Sequence, residues 1–146
     1  MAIDGNSTIK SIVMRKDYKI GKINKEIYLQ VKIGTPGIAH TKVFQFLPGG
    51  QHKLLAQSDV ASGNIKNTLL AEGKDLIGSY LKIRTVVDFG SLNQSQWEQL
   101  CDTIVGKYGL SGGFMGEQSY NYDEDDKTES NNFRFAIIDM EINLTE

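Results

Sequence analysis

Alternation with a period of two is the feature that most restricts how this chain can fold. In "EIYLQVKIG", Ile27, Leu29, Val31 and Ile33 fall on one side and Tyr28, Gln30 and Lys32 on the other. "YLKIRTVVDFG" repeats the pattern, with Leu81, Ile83, Thr85, Val87 and Phe89 facing one way and Lys82, Arg84 and Asp88 the other. Successive side chains of a strand point to opposite faces, so both segments read as half-buried strands. In "NNFRFAIIDMEINL" one stripe runs through Ala136, Ile138, Met140, Ile142 and Leu144. A second stripe, Phe133, Phe135 and Ile137, gives way to Asp139, Glu141 and Asn143. That predicts a strand covered on both faces at its start, or one carrying a bulge. Weaker strands are expected at 8–16, 39–47, 53–60 and 116–122.

The segments between are turn chemistry: "GTPG", "LPGG", "SGN", "AEGKD" and "SGG". Fifteen glycines against two prolines suit many tight reversals. The expected fold is all-β, a two-layer β-sandwich of about eight strands, jelly-roll or immunoglobulin-like. A length of 146 residues suits a single domain, 1–146, able to bury a core without metals or disulfides.

One segment departs from the rule. In "SQWEQLCDTIVGKYG", Trp97, Leu100, Cys101, Ile104, Val105 and Tyr108 recur at spacings of three and four, which is one apolar face of a helix. Ser95 and Glu98 have capping-box spacing, and Gly106 or Gly109 could end the helix. One short helix is therefore expected near residues 95–105, about ten residues from Ser95, before a return to strand. The rival reading starts a strand near Thr103, since Ile104, Tyr108 and Leu110 also fit alternation.

The densest chemistry is in "NYDEDDKTESNN", with five carboxylates among positions 123–129. Calcium takes six to eight oxygens, and Asp123, Asp125 and Asp126 are the candidate metal ligands, joined by Asp88 or Asp75 if loops gather at one end. The EF-hand template fails, because Asp126 stands where glycine is needed and Asn132 where glutamate is needed. The plain reading is a solvated hairpin loop. Tyr120 and Tyr122 would share one face of a strand, either stacking on a sugar ring or filling the core.

Catalytic parts are few. His40 and His52 are the only histidines, and neither has a motif partner. The single cysteine, Cys101, cannot form an intrachain disulfide and lies on the apolar face of the expected helix. "VVDFG" shares letters with the kinase magnesium motif, but a chain this short lacks the other kinase elements.

Lys16, Lys19, Lys22 and Lys25 recur every three residues. They form either a candidate patch for an anionic partner or a charged edge that keeps strands of different molecules apart. Residues 1–73 hold ten Lys/Arg against five Asp/Glu, and residues 74–146 hold six against thirteen. In a fold with separated ends that asymmetry would make a dipolar molecule able to stack head to tail. The chain is acidic overall, and its basic segment has no interleaved aromatics, so nucleic acid is not an expected partner. No membrane segment is expected, and without a leader-like run the cytoplasm is the default, although leaderless export fits the same sequence.

The leading expectation is a non-catalytic interaction or structural module that binds a protein partner or self-assembles. The lysine run and the acidic stretch are its electrostatic candidates. The alternative is a calcium-dependent ligand- or carbohydrate-binding module using 120–126. The third is a small enzyme using His40 or His52. No cofactor is expected apart from possible Ca2+.

Overall fold

A computed structural model describes residues 15–146. Ten strands follow in order: β1 (Lys16–Lys19), β2 (Glu26–Gly34), β3 (Ile38–Phe46), β4 (His52–Gln57), β5 (Ile65–Glu72), β6 (Tyr80–Asp88), β7 (Val105–Ser111), β8 (Gln118–Asn121), β9 (Lys127–Glu129) and β10 (Phe135–Thr145). A one-turn helix α1 (Gly73–Leu76) links β5 to β6, and a short helix α2 (Trp97–Cys101) precedes β7. The strands form two sheets. The larger has the order β1-β10-β6-β3-β4 with β9 also on β10, and the smaller has the order β5-β2-β7-β8.

The expected alternation is what joins the sheets. Ile27, Leu29, Val31 and Ile33 of β2 are buried, as are Leu81, Ile83, Thr85 and Val87 of β6. The β10 stripe from Ala136 to Leu144 meets them in one continuous core, all five members at most 1% exposed. β10 is long enough to take two partners on one edge: β9 runs antiparallel against Ala136 to Ile138, and β1 runs parallel against Ile142 to Thr145. On its other edge it pairs with β6 in unbroken antiparallel register. Two threonine hydroxyls sit inside the core, Thr41 and Thr85, and they satisfy each other at 2.8 Å.

Between β1 and β8 the side of the sandwich is closed by side chains. The buried Tyr18 hydroxyl donates to the Gly116 carbonyl at 2.7 Å and accepts from the Gly113 N–H at 2.9 Å. Tyr120 donates its hydroxyl to the Asp17 carbonyl at 2.9 Å.

Several details differ from the sequence reading. The described residues form ten strands, where about eight are expected. β5 was not among the expected strands: register shifts on its partner β2 break the period, and Leu69 is left 46% exposed while its neighbour Leu70 is buried. β9, of three residues, is too short to carry a pattern. The expected strand at 8–16 lies outside the described residues except for its last two positions, and β1 starts at Lys16.

The helix is α2, of five residues, entered through a single 3-10 turn at Gln94–Gln96. Asn93, not Ser95, caps that turn by accepting from the Ser95 N–H at 3.0 Å, and the Ser95 hydroxyl also donates to Asn93, so the expected capping box does not form. The Trp97 indole N–H donates to the Leu92 carbonyl at 3.1 Å, anchoring the half-buried ring beside the core. The chain then turns at Asp102 and Thr103 into β7, with Tyr108 and Leu110 inward, as the rival strand reading expected. Among the described residues, no third layer covers the second stripe of β10. Phe135 is 37% exposed beneath the Arg134 guanidinium, and Phe133 sits outside the strand at a positive φ of 64°.

Adjacent positions of β10 test the two faces directly. Ile138→Ala should lower unfolding free energy by about 2–5 kcal/mol, because the site is fully buried. Ile137→Ala, on the half-buried outer face, should cost about 1 kcal/mol or less. Urea denaturation of both variants measures the difference, and equal losses would mean the register is read wrongly.

Candidate functional site

Three surface features stand out. The first is the turn joining β7 to β8, "GGFMG" at 112–116. Gly112 has φ +101°, and an added Cβ there would run into the Glu26 carbonyl, so only glycine lets the chain reverse so close to β2. Beyond it the backbone is fastened down. Phe114 N–H donates to the Ile20 carbonyl at 2.8 Å and Met115 N–H to the Lys19 carbonyl at 3.2 Å, beside the two Tyr18 bonds. With its backbone tied inward, Phe114 is driven outward and is 75% exposed. Ile23 is 70% exposed and Met115 40%. Ile20, Gly21, Lys22, Ile23, Lys25 and Phe114 border a hollow of about 170 Å³. The Lys19 ammonium lies 5.0 Å from the Phe114 ring centroid, and Lys22 and Lys25 are exposed alongside. The result is an apolar knob framed by three lysines and held on a rigid turn.

The second feature lies at the other end of the same hairpin. Glu124–Asp126 form a 3-10 turn in which the Asp126 carboxylate accepts from the Asp123 N–H at 2.8 Å. Burial holds the Asp126 carboxyl above its ordinary range, despite that bond. Lys16 bridges Asp123 at 2.9 Å. The Lys127 side chain is 2% exposed; its ammonium donates to the Cys101 carbonyl at 2.8 Å and lies within 3.8 Å of Asp102, Glu124 and Glu129. Beside this cluster Ile104, Val105, Gly106, Asn121, Tyr122, Asp123 and Glu124 border an open hollow of about 400 Å³. Val105 is 54% exposed there, so the hollow joins apolar walls to an acidic rim.

The third feature is a row of rings on the outer face of the larger sheet. Phe46 is stacked between His52 and Tyr80, each centroid 5.0 Å away. The Arg15 guanidinium caps Tyr80 at 3.6 Å, and Phe44 meets His52 edge-on. Glu141, only 5% exposed, lies 2.7 Å from Arg15 and 4.0 Å from Lys82. Because these rings stack on one another, they present edges to solvent and have little face left for a base or a sugar.

The residues singled out by sequence are distributed as follows. Lys19, Lys22 and Lys25 frame the knob, whereas Lys16 is paired with the acidic turn. Asp123, Asp125 and Asp126 share one turn, but Asp123 is engaged by Lys16 and Asp126 by backbone. Among the described residues no group of three His, Cys, Asp or Glu side chains is placed to hold a metal ion. Tyr120 and Tyr122 both pack partly against the core, with the Tyr122 hydroxyl donating to the Ile104 carbonyl at 2.6 Å, and burial raises the pKa of each. His40 stands exposed on the outer face opposite Val86, and His52 belongs to the ring stack. Cys101 is buried, and burial pushes its thiol pKa up. Asp88 forms an ion pair with Arg134 at 3.0 Å and accepts from the Gly90 N–H, both of which lower its pKa.

Sequence reasoning missed Phe114, Met115 and Ile23. The available signal was two large apolar residues between glycines, a poor place to bury either. No helix among the described residues is long and apolar enough to cross a membrane. No protein-family model, curated protein or solved structure matches the chain.

The raised Asp126 pKa has a definite sign. A carboxyl whose folded pKa lies above its unfolded value weakens the fold once ionised, and that penalty fades as pH falls through the folded pKa. Asp126→Asn keeps an oxygen for the Asp123 N–H while removing the charge. Its melting temperature should exceed that of the parent at pH 7, and the gap should close by about pH 3, below the unfolded aspartate pKa. Thermal melts at the two pH values check this.

Proposed function

We propose that this chain is a non-catalytic interaction module that docks a protein through the lysine-framed knob of Ile23, Phe114 and Met115. The observation that carries the reading is Phe114, 75% exposed on a turn whose backbone is bonded at four points. Leaving a phenylalanine in water forgoes roughly 1.5–3 kcal/mol of burial. A loose loop could fold it away, but this turn holds it out. Rigid aromatic side chains bordered by charge are the usual energetic anchors of protein interfaces. The reading does not depend on whether the sandwich is jelly-roll or immunoglobulin-like, since function resides in sites and not in fold.

The competing readings have less support. A calcium-dependent glycan binder needs open carboxylates and free aromatic faces. Here Asp123 and Asp126 carry internal bonds and both tyrosine hydroxyls are tied to backbone. A histidine enzyme needs a base beside a cleft and a partner, and His52 spends its ring on packing.

Photo-crosslinking tests the proposal. A photoreactive phenylalanine analogue at position 114, irradiated in the cells that make the chain, should yield a covalent protein adduct. The same analogue at position 28, on the outer face of the smaller sheet, should not. Absence of any protein adduct from position 114 overturns the reading.

A further inference from the structure

We infer that the protein docked by the knob is a second copy of this chain, whose hollow at the acidic end receives Phe114. This rests on the interaction reading above and names its partner. The knob and the hollow lie at opposite ends of one hairpin. β7 starts at Val105, in the wall of the hollow, and ends at Ser111, where the knob turn begins. β8 returns from the knob and delivers Asn121, Tyr122 and Asp123 to the hollow. Six strand steps at about 3.3 Å set the two ends roughly 20 Å apart. A surface and its complement at opposite ends of a rigid hairpin define a head-to-tail contact.

The chemistry of the two ends matches. The knob offers Phe114 and Ile23 as apolar groups with Lys22 and Lys25 exposed beside them. The hollow offers Val105, Ile104 and Tyr122 as apolar walls with Asp123 and Glu124 at the rim. Asp102 and Glu124 point largely to water, with side chains 75% and 79% exposed, and Asp125 is exposed next to them. A docked copy would bring Lys22 and Lys25 to that rim while Phe114 and Val105 leave water together. An aromatic side chain of this kind removes on the order of 150 Å² from solvent. The charged margin adds steering and register, and it weakens with salt because the Debye length is only about 10 Å at 0.1 M. The contact joins two different patches, so a docked pair keeps one free knob and one free hollow, on different copies. Growth therefore continues into a line, or closes into a ring if the rotation per copy allows.

Two variants, each with one live end, test this. Phe114→Ser removes the knob and leaves the hollow, at a position exposed enough to spare the fold. Glu124→Lys combined with Asp125→Lys reverses the rim and leaves the knob. In sedimentation velocity at low ionic strength the parent chain should grow with concentration beyond a dimer and revert towards monomer in high salt. Each variant alone should need about tenfold more protein to associate, the scale of losing an interface anchor. An equimolar mixture should form a one-to-one dimer and nothing larger, because only one live contact exists per pair. A parent chain that stays monomeric at every concentration and salt level overturns the inference. So does a parent that assembles equally well with either variant in place, or a mixture that fails to dimerise. If the parent is monomeric while position 114 still crosslinks to a different protein, the interaction reading stands and the self-docking inference falls.

Discussion

The hydroxyl of Tyr18 is where the two sheets are fastened along the β1–β8 side. Neither strand pairs with the other through a ladder, so this side is closed by separate bonds: Phe114 and Met115 N–H to the Ile20 and Lys19 carbonyls, Tyr120 to the Asp17 carbonyl, and the two made by Tyr18. One phenol both accepts and donates across the gap, at 2.9 Å and 2.7 Å, from a ring that is fully buried. Leaving such groups unpaired costs about 1–3 kcal/mol each. The same two bonds, with the Phe114–Ile20 and Met115–Lys19 backbone bonds, fix the backbone of 113–116, so the closure of the sandwich and the outward presentation of Phe114 are linked. Core burial brings the sheets together; Tyr18 and those two backbone bonds aim the turn at their margin.

Much of the architecture could be read from the sequence wherever one face is buried and the other wet. β2, β6 and the inward stripe of β10 are such cases, because an error of one residue there would expose an entire hydrophobic set. β5 was illegible for a physical reason. Its pairing with β2 shifts register twice, so the side chains that reach the core are not two apart. The helix was overestimated because Ile104 and Tyr108 satisfy two periods at once: they extend the helical face of Trp97, Leu100 and Cys101, and they also alternate with Leu110. Packing resolved the tie by ending α2 at Cys101 and carrying Ile104, Tyr108 and Leu110 inward on strand geometry.

The candidate site was legible only in part. Carboxylates announce themselves by composition, but which of them are free depends on partners far away in sequence. Lys16 and Asp123 are 107 positions apart and meet at 2.9 Å. A regular spacing of lysines carries no face of its own when β1 covers only four residues and the chain then leaves the sheet. Lys16 turns to the acidic end and the other three to the knob. The charge bias between the two halves of the chain likewise becomes spatial only through topology. Residues 19–25 supply the basic end and residues 123–126 the acidic one, while the hairpin that separates them belongs entirely to the second half. Phe114 escaped notice because exposure is a property of the fold, and no periodicity marks a residue that the fold leaves outside.

Trp97 is the only tryptophan in the chain. Its indole is pinned to the Leu92 carbonyl on α2, the same helix whose Cys101 carbonyl takes the Lys127 ammonium. The protein thus contains a single indole fluorophore, stationed at its acidic pole, while the phenols lie elsewhere as well. Emission changes on excitation of that indole therefore have one address, and an event at one pole is optically separable from an event at the other without any label.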